Sequence, residues 1–174
     1  VIGPGKNIPV WLDSTNSADY EGELAVVIGK QGRGISRDQA FEYIYGYTIV
    51  NDVTSRRLQR EHQQWFLGKS LDGFCPMGPA IVTADEIADV TQLRLQTWIN
   101  NDLRQDSSVA NLIFDIPVLI ETLSQAMTLE PGDIIATGTP AGVGMGYNPP
   151  RFLEKGDQVK ITIEPIGTLE NPVS

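Results

Sequence analysis

The chain has one cysteine, Cys75, and one histidine, His62. A lone cysteine rules out an intramolecular disulfide and any zinc site built from several thiolates. A lone histidine leaves no pair of imidazoles for a histidine-based zinc site. A Ser-His-Asp triad would have one possible base and no recognisable nucleophile elbow, so serine hydrolase chemistry is not expected. No apolar run approaches the roughly 20 residues that a membrane span requires, and no signal-peptide pattern opens the chain, so no membrane partner is expected. Basic residues are scarce, 13 against 22 acidic ones, for a formal net charge of −9. Such a surface repels nucleic acid, whose recognition relies on cations that neutralise phosphates. Internal repeats, low-complexity tracts and long like-charge blocks are also missing. The absence of disulfides suits a reducing cytoplasm.

What is present is 174 residues, enough for one domain that buries roughly 70% of its unfolded surface. Short β-rich runs separated by Gly, Pro, Asn and Asp dominate, which predicts an α+β domain that is mainly β. Glu23 to Ile28 reads as a buried strand closed by Gly29, and Tyr47 to Val53 as a second. Ser36 with Gln39 has the spacing of a capping box, opening a helix to about Tyr45. Leu93 to Ile99 alternates, and Asn100-Asn101-Asp102 turns it into Leu103 to Gln105, a hairpin. Asp115 caps a helix with Pro117 in its first turn, running to about Met127. Turns at Pro131-Gly132-Asp133 and Gly156-Asp157 precede strands at Ile134 to Thr137 and Gln158 to Glu164. Gly138 to Pro150, rich in Gly and Pro, reads as a surface loop.

The chemistry centres on Glu21-Gly22-Glu23. On an extended chain residues i and i+2 project to the same face, so two carboxylates sit side by side ahead of an apolar strand. Two like charges that close are unfavourable near a core unless a cation offsets them. The run Tyr47 to Val50 delivers a third acid, Asp52, at the end of another strand. Three carboxylates on adjacent β elements form a hard, all-oxygen site suited to Mg²⁺, Mn²⁺ or Ca²⁺. The spacing leaves another reading open: a solvated strand edge, with Asp52 capping a turn.

Arg56, Arg57 and Gln59 follow Asp52, and Lys69 lies in Leu67-Gly68-Lys69-Ser70. Basic groups near a carboxylate-bound metal can hold an anionic substrate, whereas Arg57 reads as ordinary surface charge. His62, in the polar stretch Gln59 to Gln64, reads as exposed, and Cys75 as packing. Gly142-Val143-Gly144-Met145-Gly146 is glycine-rich but lacks the following Gly-Lys-Ser/Thr of a phosphate loop.

Taken in order, the segments resemble the fumarylacetoacetate hydrolase family. The blocks are Asp19-Tyr20-Glu21-Gly22-Glu23-Leu24 with Val27-Ile28-Gly29, Gly46-Tyr47, and Asn51-Asp52-Val53-Thr54-Ser55-Arg56. They continue through Gly68-Lys69-Ser70, Cys75-Pro76-Met77-Gly78-Pro79 and Arg104-Gln105. Met127 to Asp133, Thr137-Gly138-Thr139-Pro140 and Gly167-Thr168-Leu169 complete the series. The resemblance implies that residues 1–174 form one catalytic domain, a mixed β-sandwich roll with a few short helices, in a homodimer. It also implies Mg²⁺, or Mn²⁺ or Ca²⁺, on Glu21, Glu23 and Asp52, with Lys69 catalytic and Arg56, Gln59 and Thr139 lining the substrate site.

Family substrates are small anionic 1,3-dicarbonyl or 2-oxo acids, and a divalent ion chelating such an acid stabilises the enolate formed when a C–C bond breaks. Hydrolysis of an acylpyruvate-like acid is therefore the first expectation. Decarboxylation of an oxaloacetate-like acid and isomerisation of a dienoate on the same fold are alternatives, as is a non-catalytic metal-binding remnant. Many relatives carry a His-x-x-Glu dyad in a mobile N-terminal segment that activates water. This chain has no such motif and begins with Val, so that lid segment is expected upstream of it.

Overall fold

The computed structural model describes residues Val1–Ser174. Two four-stranded antiparallel sheets carry the fold. The first has β2 (Gly22–Ile28) at its centre, hydrogen-bonded on one side to β3 (Ile44–Asn51) and on the other to β8 (Ile134–Ala136). The edge strand β5 (Met77–Thr83) pairs with β3. The second sheet runs in the order β10 (Gly167–Pro172), β9 (Gln158–Ile163), β6 (Arg94–Ile99), β7 (Asp102–Ser108). A two-stranded ladder joins β1 (Ala18–Asp19) to β4 (Thr54–Ser55).

Side chains of the two sheets share one core. Leu24, Val26 and Ile28, at alternate positions of β2, join it from one side, and Leu95, Ile161 and Ile163 from the other. Each fully buried aliphatic side chain contributes about 1.5–3 kcal/mol of transfer free energy, which anchors β2 far more firmly than its backbone pairing alone. Alternation then fixes where Glu23 points: with Leu24 and Val26 committed to the shared core, Glu23 projects to the opposite face. The β2–β3 register pairs Gly22 with Asn51, and the Asp52 amide donates to the Glu21 carbonyl at 2.9 Å. That register places Asp52 directly across from Glu21.

The capped helix at Asp115 forms as expected. It is α3 (Ile116–Ala126), and the Asp115 carboxylate accepts from the Val118 amide at 2.9 Å. The Asn100-Asn101 hairpin between β6 and β7 forms too, with Asn100 at φ 57°. Elsewhere the chain departs from expectation. The segment Arg37–Tyr43 is a 3₁₀ helix that stops short of Tyr45, and the Ser36 hydroxyl bonds the Gln39 side chain at 3.2 Å and caps no backbone amide. Two short helices, α1 (Arg56–Glu61) and α2 (Trp65–Lys69), occupy a stretch that carries no helical period. The Gly138–Pro150 loop is not wholly superficial, since Gly144 is buried against Asp19. No helix is long and apolar enough to cross a membrane.

Candidate active site

Ligand oxygens of Glu21, Glu23 and Asp52 lie within 4.8 Å of one another. Glu21 and Glu23 are buried, at 7% and 3% exposure, and Asp52 is half-buried. The hairpin-like register of β2 and β3 brings the three together, as the i, i+2 spacing and strand-end position of Asp52 anticipated.

Cations meet these acids from one side. Lys69, the last residue of α2, donates from Nζ to Glu21 Oε2 at 2.8 Å, to Asp52 Oδ2, and to Thr54 Oγ1 at 3.1 Å. Burial pulls the Lys69 pKa down, but its bonds to Asp52 and Glu21 outweigh that and hold it above the usual value. What brings Lys69 there is Gly68: a Cβ on Gly68 would sit 2.8 Å from the backbone nitrogen of Gln59, so only glycine lets α2 lie this close to α1.

Arg56, the first residue of α1, is 6% exposed. Its Nη1 donates to Glu21 Oε1 at 2.6 Å and its Nε to Asp19 Oδ2 at 2.8 Å. Sequence reasoning assigned Arg56 to the substrate's carboxylate, but here its guanidinium grips two protein carboxylates, leaving Nη2 buried with no partner. Gln59 stands beside it, accepting from Arg56 Nη1 at 3.5 Å. Arg57 is exposed, as expected, and so is His62 at the end of α1.

Asp19 is the residue that sequence reasoning missed on this side. It is fully buried, and its two oxygens also accept from the amides of Gly144 at 2.6 Å and Met145 at 2.9 Å. The Gly142–Gly146 run thus wraps a carboxylate of its own chain. A Cβ on Gly144 would come within 2.6 Å of Asp19 Oδ1, which explains the glycine. The clue in the sequence was the position of Asp19, two residues before Glu21.

Glu23 is held separately. Its Oε2 accepts from the Gly138 amide at 2.7 Å, in the Thr137-Gly138-Thr139-Pro140 segment that follows β8. Burial pushes its pKa up to about 8, and the single amide offsets only part of that. Thr139 does not bond the acids; its Oγ1 donates to the Gly22 carbonyl at 2.9 Å. Thr137 to Ala141 also line one wall of a cavity of about 460 Å³, with Leu24 and Leu95 at its base and the exposed Ile113 and Phe114 at its rim.

The charges do not balance within the chain. Asp19, Glu21, Glu23 and Asp52 are four carboxylates, and Arg56 and Lys69 are the two cations paired among them. With all four ionised the excess is two negative charges on hard, partly buried oxygen donors, which a divalent cation would offset; without one, burial favours the protonated form of Glu23 at neutral pH.

Residues 1–174 match the sequence profile of the family described as fumarylacetoacetate (FAA) hydrolase C-terminal. The chain belongs to this family. Over 173 residues it is 55% identical to oxaloacetate tautomerase YisK of Bacillus subtilis (strain 168), an alignment covering 99% of this chain and 58% of that protein. The fold superposes with a TM-score of 0.95 on fumarylacetoacetate hydrolase from the psychrophilic Exiguobacterium antarcticum, at 49% identity, covering 99% of this chain and 62% of the other. It superposes at 0.85, with 38% identity, on maleylpyruvate hydrolase from Sphingobium sp. SYK-6, solved in complex with manganese(II) ion and pyruvate, covering 98% and 60%. The chain spans less than two thirds of the length of these relatives. The family thus includes a tautomerase and hydrolases, and at least one member binds a divalent metal.

Proposed function

We propose that this domain enolises a small 2-oxo acid with a divalent ion held by Glu21, Glu23 and Asp52, and that keto–enol conversion of an oxaloacetate-like acid is its reaction. The observation that carries this reading is the placement of Lys69 Nζ against Glu21 and Asp52, at the edge of a cluster with more carboxyl groups than cations. Mg²⁺ and Mn²⁺ are the ions this donor set favours. A divalent ion bound there supplies Lewis acidity, offsetting the negative charge on the substrate's oxygens as its α-carbon loses a proton.

The remaining work falls to the chain's own groups. Tautomerisation breaks a C–H bond and forms an O–H bond with no net change in composition, so it needs one group that can hold the moving proton. Lys69 Nζ is that group: as an ammonium it gives a proton to the substrate oxygen, and the amine so formed takes the proton lost from carbon, restoring the ammonium; ketonisation runs the same exchange in reverse. Arg56 fixes the Glu21 carboxylate through its bond to Oε1. Gln59 and Thr139 flank the cluster at its two sides, on α1 and on the segment after β8. The likeness to an oxaloacetate tautomerase at 55% identity supports this choice of reaction. A homodimer belongs to the same proposal, and sedimentation of the purified chain tests it.

A second reading, hydrolysis of a C–C bond in an acylpyruvate, is favoured by the likeness to a maleylpyruvate hydrolase holding manganese and pyruvate. One experiment separates them. Purified protein is given enol-oxaloacetate and, separately, an acylpyruvate, each with Mg²⁺ and with chelator. The enol is followed by its ultraviolet absorbance, and the acylpyruvate products by NMR. Metal-dependent ketonisation without cleavage supports the tautomerase; metal-dependent release of pyruvate supports the hydrolase. No metal-dependent change in either overturns both.

A further inference from the structure

The Arg104-Gln105 pair belongs to a sequence block with no role in the chemistry above, yet Gln105 is completely buried and every polar atom of its carboxamide is used. Its Oε1 accepts from the Gly22 amide at 3.0 Å, between the two glutamates. Its Nε2 donates to Thr139 Oγ1 at 2.7 Å and to the Pro140 carbonyl at 3.0 Å. Thr139 Oγ1 in turn donates to the Gly22 carbonyl, closing a ring of bonds between β7, the start of β2 and the segment after β8. One residue before Thr139, the Gly138 amide reaches Glu23.

We propose that Gln105 is a positioning residue for Glu23: it fixes Thr139 and Pro140 against Gly22, and so holds the Gly138 amide on Glu23 Oε2. The packing admits little slack, since a Cβ on Gly22 would collide with Thr97 Oγ1 and approach Gln105 Oε1 to 3.2 Å. Only a carboxamide satisfies the ring, because the site needs an acceptor toward Gly22 and two donors toward Thr139 and Pro140. Without those donors two half-buried acceptors lose a partner, and the segment carrying Gly138 is released from β2. Glu23 then keeps its place on the strand but loses its fixed orientation. Partners of this kind, one step behind a ligand, change metal affinity by about 10–100-fold when removed.

This inference rests on the metal reading of the preceding section, so its test has a readout that does not involve metal. The variants are Gln105→Glu, which keeps the acceptor toward Gly22 and loses both donors, and Gln105→Met, which loses all three bonds without adding charge. Thr139→Val removes the next bond in the ring and serves if neither Gln105 variant folds. Amide exchange at Gly138, read by NMR on the metal-free chain, is expected to accelerate at least about tenfold while Val26 and Ile49 stay protected. Mn²⁺ affinity, titrated by electron paramagnetic resonance, is expected to fall by about tenfold or more. Unchanged Gly138 exchange in a folded variant overturns the proposal, as does faster exchange with Mn²⁺ affinity intact. If the wild-type chain binds no Mn²⁺, the metal reading fails instead, and Gly138 exchange alone decides whether Gln105 holds that segment.

Discussion

Lys69 Nζ stands 2.8 Å from Glu21 Oε2 and also bonds Asp52, so the ammonium occupies the flank of a carboxylate cluster that a divalent ion would share. The two cations compete for the same negative charge. Lys69→Met removes one of them. Mg²⁺ affinity, measured by calorimetry, is expected to stay level or rise, while turnover of a 2-oxo acid falls by about 10²–10⁴-fold, the contribution typical of a positioned acid–base group. Weaker Mg²⁺ binding in this variant would contradict the competition, and turnover equal to the wild type would contradict the assignment of Lys69 as the proton-bearing group.

The Arg56 fork is a stability device as well. Arg56, Asp19 and Glu21 are nearly excluded from solvent, and removing the guanidinium leaves two buried carboxylates without their partner. Arg56→Met is expected to destabilise the fold by about 3–5 kcal/mol, the range for breaking a buried pair from one side. Arg56→Lys does not recover it, because an ammonium cannot present the planar fork that reaches both Asp19 and Glu21. Denaturant unfolding of the three proteins checks the order.

Gly68 governs the position of Lys69 without touching the acids. Gly68→Ala forces a Cβ to within 2.8 Å of Gln59 backbone and side-chain atoms, so α2 must move off α1. The expected result is a modest loss of stability, about 1–3 kcal/mol, with kcat lowered and Mg²⁺ binding retained. A kcat equal to wild type would show that the α1–α2 contact does not set the lysine.

A pH dependence follows from Asp13, which is not one of the clustered carboxylates. Burial pushes its pKa up, but bonds from the Thr15 hydroxyl at 2.6 Å and the Ser17 amide at 2.8 Å outweigh it and hold the carboxyl below its ordinary value. A folded-state pKa below the unfolded one means that the stabilisation is present above the unfolded value and is lost as pH falls through the folded one. Urea unfolding of the wild type and of Asp13→Asn between neutral pH and about pH 3 isolates this contribution: relative to the variant, the wild type is expected to lose stability on acidification. An unchanged slope in the variant would remove Asp13 from the account.

Much of the candidate site is written in adjacent residues. Glu21 and Glu23 share a face because strands alternate, and Asp52 ends the neighbouring strand, so three oxygens could be placed before any fold was known. Lys69 was legible as a basic residue near the acids, whereas its catalytic role and the place of Thr139 in the site came from the family resemblance. The supports were not legible: Asp19 bonds amides 125 and 126 residues later, and Gln105 bonds Gly22 across 83 residues. Local periodicity carries no information about such pairs. The strand β5 was hidden by Pro79, tolerated because β5 is a sheet edge. The helices α1 and α2, of six and five residues, are too short to display a helical period.

The central claim is that Glu21, Glu23 and Asp52 act together to hold one divalent ion. The most direct measurement is the thermal unfolding of the wild-type chain and of Glu23→Gln, each with and without saturating Mg²⁺. The amide is nearly the same size as the carboxylate it replaces, and its carbonyl oxygen can still accept from the Gly138 amide, so the metal-free variant should fold. The account predicts a rise in Tm on adding Mg²⁺ to the wild type and none for Glu23→Gln. The same Mg²⁺-dependent rise in both proteins would contradict it.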